Sequence, residues 1–313
     1  MSPTKNDRRD AAMASAIRAA TTLAVWSAAV AGGASADSAI DAITGVGMPR
    51  GVRAASMNPS MNPSANLSAN LSMSPSESQT ADPTVHSAGH FTRQRLPGPG
   101  EPHAGHTELL AFVRQGGPAE LLLPVPGDLR GLPPGGEITV PALDAGAAVV
   151  FPDHGVGLVP TDGHWRAYPC GFTHVVLAER DAQALVDGAI ADATVALARA
   201  DIARSAGNPR ERLRQLILAD EVELPERTPT AASALLAQSI TLHALIRVAF
   251  AHETAAVTAR SIGAIDEALA PLAAAVRESR RTAVAMAVAA LHPAVAQRDP
   301  TLDSWAAFRR TAG

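Results

Sequence analysis

A serine-rich tetrapeptide repeat is the feature that most limits how this chain can fold. Residues 56–76 read SMNPSMNPSANLSANLSMSPS, with a serine at every fourth position. A segment of this composition has too little apolar bulk to bury a core and is typical of disordered chain. The stretch 77–104 that follows stays rich in proline, glycine, serine and histidine. We therefore predict a disordered, low-complexity linker over residues 48–104.

Composition narrows the classes of protein that remain. The 313 residues are enough for two compact units joined by a linker. Hydrophobic residues make up 47% of the chain but aromatic residues only 3%, which favours helices packed through small side chains. The net charge of -4 and the absence of a long basic tract argue against a nucleic-acid partner. The single cysteine, Cys170, excludes an internal disulfide framework.

The first 47 residues have two interpretations. Residues 19–36 are uncharged, follow arginines and end in Ala-Ser-Ala, which fits the outline of a secretory leader. The competing interpretation, which we favour, is a helical hairpin over residues 1–47 with its turn at Gly32-Gly33. No other segment is expected to span a membrane. A cytoplasmic protein without a membrane partner is thus expected, with secretion as the alternative.

A small α/β module with a β-meander is predicted for residues 105–178. TELLAFVRQGG predicts a helix, and AELLLPV predicts a strand. AAVVFP, VGLVPT and HWRAYP predict three more strands, the last two joined by a turn at Asp162-Gly163. That turn places Tyr168 opposite Gly157 and Trp165 opposite Pro160.

An antiparallel helical bundle is predicted for residues 179–292, followed by a tail over 293–313. Asn208-Pro209 and Thr228-Pro229 each indicate the start of a helix. The last helical segment, about 256–291, contains Pro271, which is expected to kink or divide it. The predicted fold class is therefore α+β: an N-terminal helical hairpin, a small antiparallel meander module and a C-terminal bundle.

The loop over 126–136 is the first candidate for a ligand site. It follows a strand and carries Asp128 and Arg130, which could contact a ligand together with His154. It lacks the spacing of a phosphate-binding loop, and its prolines remove backbone N–H groups, so a rigid structural turn is the alternative. Cys170 is expected beside His154 but has no nucleophile signature around it. No catalytic residue, metal ligand or cofactor is assigned.

Four histidines near the end of the linker have the spacing of metal ligands. They lie in HSAGHFTRQRLPGPGEPHAGH, at His86, His90, His103 and His106. The glycines and prolines between them argue against a preformed site, so we interpret the tract as linker and leave weak metal binding open.

Polar residues within the helical segments are read as structural. His243 lies on an apolar stripe, as expected for a histidine between helices. Arg277, Arg280 and Arg281 are expected to form a solvated face.

Three stretches carry a resemblance to a known group of proteins. They are LLLPVPGDLRGLPP, DAGAAVVFPDHGVGLVP and EALAPLAAAVRESRRTAVAMAVAA. Over residues 107–291 the chain resembles a group of uncharacterised actinobacterial proteins, a resemblance that implies no reaction, cofactor or catalytic residue. No set of acid, base and nucleophile converges in the sequence, so we predict a non-catalytic interaction or regulatory protein with an unknown protein partner. A small-molecule or nucleotide-handling enzyme that uses loop 126–136 is the alternative.

Overall fold

The structure is a computed structural model, and it describes residues 5–48, 50–54, 96, 103–129, 131–133, 135–171, 176–199, 208–252 and 259–296. In chain order its elements are α1 (Lys5–Ala31), α2 (Ala36–Gly45), β1 (Val52–Ala54), α3 (His106–Gln115), β2 (Glu120–Leu122), α4 (Thr139–Ala145), β3 (Ala148–Phe151), a 3-10 turn (Pro152–His154), β4 (Val156–Thr161), β5 (His164–Pro169), α5 (Glu179–Arg199), α6 (Pro209–Asp220), α7 (Thr230–His252), α8 (Ala259–Leu291) and α9 (Pro293–Ala296). The predicted α+β class is confirmed.

The strands form one mixed sheet in the order β1-β5-β4-β3-β2. Strands β2 to β5 pair antiparallel, and the predicted hairpin register is confirmed, because Tyr168 lies opposite Gly157 and Trp165 opposite Pro160. Asp162 and Gly163 both have positive φ, 39° and 79°. Two positive φ values in a two-residue hairpin turn suit the right-handed twist of the strands.

Strand β1 adds a parallel edge that the sequence did not indicate. Residues 52–54, which fall within the predicted linker, pair with β5. Val52 also exchanges two backbone hydrogen bonds with Ala104, of 2.8 and 3.0 Å. Residues 52 and 104, fifty-two positions apart in the chain, therefore lie side by side at this edge of the sheet. The remainder of the predicted linker, residues 55–95 and 97–102, lies outside the described residues, as does the tail from residue 297.

Helix α1 lies at the centre of the largest apolar core. The predicted helical hairpin is present as α1 and α2, and Leu23, Val25 and Ala28 of α1 are fully buried. They pack with one face of the sheet, with α3 and with α8. Arg18 and Trp26 donate hydrogen bonds to the carbonyls of residues 221 and 223, which tie α1 to the segment before α7. Residues 19–30 of α1 are buried on every side of the helix, which explains why this part of α1 has no charged residue.

The opposite face of the sheet is covered by α4 and the loop before it. Ile138 and Leu132 pack there against Val150, Val159 and Tyr168. Helix α4 was not foreseen, because its seven residues are too few to show a helical period.

Helix α8 is the axis of the C-terminal half. It packs against α5 and α7 on two sides, and against α1 and strand β2. Pro271 was expected to kink or divide this helix; division is wrong, because α8 runs unbroken through Pro271, while the kink stays a prediction. A proline in a helix forfeits one backbone hydrogen bond. Leu269 and Leu272 on either side are buried against α5 and α7, and this packing holds both halves in one helix.

Among the helices that the structure describes, two are long and apolar enough to cross a membrane, by length and composition alone. They are Arg8–Ala31 in α1 and Thr230–Phe250 in α7. The expectation that no segment beyond the N-terminal one has this character is therefore wrong for α7. The most apolar stretch of α1 is 78% buried inside the fold, whereas that of α7 is only 39% buried. Core helices of soluble proteins pass the same test, and the burial of α1 is that of a core helix. Helix α7 is much less buried, so packing in the core does not by itself explain its apolar sequence.

Candidate functional site

Asp128, the first predicted ligand residue, is engaged by the central helix. Its backbone closes a tight turn with Val125, through N–H to carbonyl bonds of 2.9 and 3.0 Å. Its carboxylate lies 3.4 Å from Nη2 of Arg277 on α8, with 33% and 20% of the two side chains exposed. The loop is thus fastened to α8 by this ion pair. Arg130, predicted beside Asp128, lies outside the described residues.

His154 lies in the 3-10 turn after β3 and packs on α3. Its ring centroid is 4.5 Å from that of Phe112, and its Nε2 lies against the backbone of Gly116. Asp128 follows β2, whereas His154 follows β3, which is antiparallel to β2. The two residues therefore lie beyond opposite ends of this strand pair. The structure does not bring Asp128 and His154 into one site.

Cys170 lies where the hairpin register predicts. Its N–H donates to the carbonyl of Gly155, at 2.8 Å, next to His154. The cysteine is buried, takes no part in a disulfide, and lies in a cluster with Ile138 and Tyr168. A thiol in this setting behaves as a small apolar group.

Two of the four linker histidines are described. His103 is exposed, and the Nε2 of His106 lies 2.7 Å from the carbonyl oxygen of Met48, which fixes the start of α3. His86 and His90 lie outside the described residues. Within the described part of the chain, no group of three or more His, Cys, Asp and Glu side chains is placed to hold a metal ion.

The expectation that Arg280 and Arg281 form a solvated face is wrong, because both are almost completely buried. Nη2 of Arg280 lies 2.6 Å from Oδ2 of Asp220 at the end of α6, and each of the two side chains is 3% exposed. Burial raises the pKa of Asp220, but the Arg280 charge and the hydrogen bonds from His243 and Arg280 outweigh burial, so the net shift is downward. Asp220 is therefore a buried carboxylate kept ionised by its partners.

His243 completes this cluster from α7. Its Nδ1 lies 3.3 Å from the same oxygen of Asp220, and its side chain is 26% exposed. A carboxylate behind a histidine resembles the way enzymes orient a general base. Here the carboxylate oxygen makes its shorter contact with Arg280, and the hydroxyl of Ser239 is held by the carbonyl of Leu236 at 2.7 Å. The contacts describe an interhelical clamp between α6, α7 and α8.

Arg281 forms the contact between α8 and the edge of the sheet. Its Nη1 lies 2.9 Å from Oε2 of Glu278, and its Nε donates to the carbonyl of Leu121 in β2, at 3.1 Å. An edge strand exposes unpaired backbone groups, which proteins cover or block. Arg281 and Glu278 together cover this edge and balance their charges inside the fold.

An open groove lies between the first turns of α5 and α7. Its volume is about 800 Å³. The lining residues are Glu179, Arg180, Gln183, Ala184, Asp187, Ala231, Ala234, Leu235 and Gln238. Small apolar side chains form much of the lining, and charges of both signs lie on its α5 side. No pattern in the sequence indicates this groove, because the groove depends on how two helices distant in the chain lie side by side.

These features define an α+β protein in which one long helix both covers the edge of a mixed sheet and forms the centre of a helical layer. The chain belongs to the family of Rv1486c-like proteins: residues 20–179 match the N-terminal domain of the Rv1486c-like protein and residues 180–281 match its C-terminal domain. The predicted resemblance to uncharacterised actinobacterial proteins is confirmed.

Two relatives from Mycobacterium tuberculosis illustrate the similarity. They are "Uncharacterized protein MT1533" of strain CDC 1551 / Oshkosh and "Uncharacterized protein Rv1486c" of strain ATCC 25618 / H37Rv. Each is 29% identical over 251 residues, which cover 66% of this chain and 84% of the relative. Neither name states an activity. No solved structure shows a significant match.

Proposed function

We propose that this is a non-catalytic intracellular interaction protein that binds a helix of a partner protein in the groove between α5 and α7. The observation that carries the proposal is the contrast within α7 between composition and burial. From Thr230 to Ile246 the helix has no Asp, Glu, Lys or Arg. Only 39% of its most apolar stretch is buried. A contiguous apolar surface left in water often marks an interaction site, whereas single exposed apolar residues are ordinary.

The groove side of α7 has the spacing of a helix-packing seam. Ala231, Ala234 and Gln238 line the groove, and Leu245, 44% exposed, continues the same side of the helix two turns later. Their separations of three, four and seven residues keep these side chains on one stripe. Small residues at the first positions allow the backbone of another helix to approach closely.

Helix α5 supplies a second seam beside the first. Its exposed small and apolar residues at helical spacing are Ala184, Gly188, Ala191, Val195 and Ala198. A helix lying between two such seams would bury apolar surface from both sides, in the manner of helix-in-groove recognition. The α5 side also carries Arg180 between Glu179 and Asp187, so polar pairs of either sign are available at the rim.

Site-specific photo-crosslinking in the native host tests this proposal. A photo-reactive phenylalanine analogue replaces exposed Ala234 in the groove, and in a control chain it replaces exposed Asp41 on α2. We expect one discrete protein adduct from position 234 and none from position 41. Two matched variants refine the assay: Leu245→Glu on the groove side, and Leu218→Glu on α6, where the leucine is 56% exposed. Leu245→Glu removes one leucine contact that the partner would bury, so we expect about tenfold less adduct. We expect no change in adduct for Leu218→Glu.

The outcomes separate the classes of partner. An adduct with a second copy of the chain, lost in Leu245→Glu, supports the proposal with the chain as its own partner. An adduct with lipid, and extraction only by detergent, overturns it in favour of a membrane surface. Equal adducts from positions 234 and 41, or none from either, also overturn it. Recovery of the chain only outside the cell would overturn its intracellular part.

A further inference from the structure

Two arginines lie side by side at the β1 edge of the sheet. Arg53 of β1 is in register with Arg166 of β5. Paired residues on neighbouring strands lie about 5 Å apart and point to the same face. His164, two residues before Arg166, shares that face, whereas Trp165 points to the opposite face and into the main core. Two guanidinium groups and an imidazole thus meet on one patch of sheet.

Among the described residues no carboxylate forms an ion pair with either arginine, although the Asp162 carboxylate acts on His164 from nearby. Arg53 is exposed and Arg166 is half-buried. In the described part of the chain neither forms an ion pair or a side-chain hydrogen bond, in contrast to Arg277, Arg280 and Arg281. Like charges directly opposite on adjacent strands are destabilising. Over the described residues the patch therefore carries a local excess of positive charge, two arginines against the nearby Asp162.

His164 is a buried polar group, 6% exposed, and neither of its ring nitrogens has a hydrogen-bond partner among the described residues. Burial has the largest effect on the pKa of the imidazole and lowers it, and the charges of Arg53 and Arg166 lower it further. The Asp162 carbonyl, whose contact lacks hydrogen-bond geometry, and the charge of the Asp162 carboxylate raise the pKa, but by less in total. A neutral imidazole beneath two arginines offers an unused N–H donor, and such groups in native proteins commonly mark an absent ligand or water.

We infer that Arg53, Arg166 and His164 form a binding site for a phosphate-type oxyanion carried by a small molecule. The charge of two arginines matches a phosphate dianion, and three donor groups on one face match its several oxygens. An arginine fork forms paired hydrogen bonds with a carboxylate or a phosphate, but only a phosphate has further oxygens left for the second arginine and the imidazole. Arg53 is exposed on the edge strand β1, so the ligand first meets this side chain and reaches His164 when the arginine side chains turn towards it. This site is independent of the α5–α7 groove.

Titration of the full chain with inorganic phosphate at constant ionic strength tests this inference. The imidazole signals of His164, followed by NMR and assigned with His164→Gln, are expected to shift with saturation. The pKa of His164 is expected to rise in phosphate, because a bound anion offsets the two arginine charges. Sulfate is expected to compete with phosphate, and acetate to bind about tenfold more weakly.

Matched variants test the arginines. Arg53→Gln and Arg166→Gln are each expected to weaken phosphate binding about tenfold or more, as for loss of a charge-assisted hydrogen bond. Arg210→Gln, at an exposed position in the first turn of α6, is the control and is expected to bind phosphate normally. In sodium chloride alone, Arg53→Gln is expected to be no less stable than the parent chain, because it removes like-charge repulsion.

Several results would overturn the inference. One is phosphate affinity that falls equally in the Arg210→Gln control. A second is a His164 shift that sodium chloride reproduces at the same ionic strength. A third is acetate binding as tight as phosphate binding.

Discussion

Oδ2 of Asp220 and Nη2 of Arg280 lie 2.6 Å apart, and each side chain is 3% exposed. The two residues come from α6 and α8, so a single ion pair fastens a peripheral helix to the central one. His243 of α7 contacts the same oxygen, which joins three helices at one point. Inside a protein, the attraction within such a pair roughly offsets the cost of removing both charges from water. The pair therefore matters most when one partner is lost.

Asp220→Asn is expected to destabilise the protein by about 3–5 kcal/mol, because it leaves Arg280 buried and unpaired. Urea denaturation, followed by circular dichroism, measures the change. The matched control is Glu211→Gln, which breaks the exposed pair with Arg214 on α6 and is expected to cost at most about 1 kcal/mol. Equal effects of the two changes would contradict the clamp described for Asp220.

Acid is expected to weaken the fold through Asp220. Its partners hold the pKa of this carboxyl below the ordinary value of 3.8, after overcoming the opposite effect of burial. The contribution to stability is therefore complete above about pH 4 and is lost as the pH falls through the lowered pKa. Denaturation curves from neutral pH to about pH 3 should show this loss in the parent chain and a shallower slope in Asp220→Asn. An unchanged slope would refute the assignment.

His164 is expected to make the stability of the fold depend on pH in a higher pH range than Asp220 does. Its pKa lies below the ordinary 6.5, first because of burial and then because of Arg53 and Arg166. Between the lowered pKa and 6.5 the unfolded chain binds more protons than the folded chain, so stability rises with pH across this range. In phosphate-free buffer, His164→Gln should flatten the stability curve between about pH 5 and pH 7. A curve with the parent slope would show that another group titrates there.

Gly157 is expected to tolerate no side chain. A Cβ at this position would meet Cδ1 of Ile138 and lie 3.1 Å from Cβ of Cys170. Gly157→Val should therefore destabilise the protein by roughly 1–3 kcal/mol or more, through overpacking beneath α4. The control is Gly188→Ala on the open side of α5, where no heavy atom lies within 4 Å. It should stabilise the helix by up to about 1 kcal/mol. Thermal unfolding measures both effects: the midpoint temperature should fall for Gly157→Val and rise for Gly188→Ala.

The hairpin of β4 and β5 could be predicted from the sequence because its information is local. Asp162-Gly163 specifies a two-residue turn, and the turn fixes every residue pair in the ladder, including Tyr168 over Gly157. Strand β1 could not be found in this way. It has three residues, and its partner β5 follows more than a hundred residues later. A short parallel strand shows no periodic pattern in the sequence and has no adjoining hairpin turn by which it could be predicted.

The buried arginines of α8 were missed for a different reason. Helical periodicity assumes one apolar face and one wet face, and it assigns charged residues to water. Helix α8 is enclosed by α5, α7, α1 and β2, so Arg280 and Arg281 have no wet face to occupy. The usable signal was the long apolar sequence on both sides of Glu278–Thr282. The groove and the Arg53/Arg166 patch leave no comparable trace, because each combines residues far apart in the chain.

The double hydrogen bond between Val52 and Ala104 has a consequence for how this chain can change in length. Whatever lies between these residues starts and finishes at one spot on the rim of the sheet. The entropy cost of closing a loop grows only with the logarithm of its length, by about 0.6 kcal/mol for each doubling. Copying another SMNP unit into the repeat would therefore leave the sheet and its core unstrained. Because Val52 and Ala104 hold both flanks of this segment together, insertions between them cost little free energy, and related chains can differ in length there.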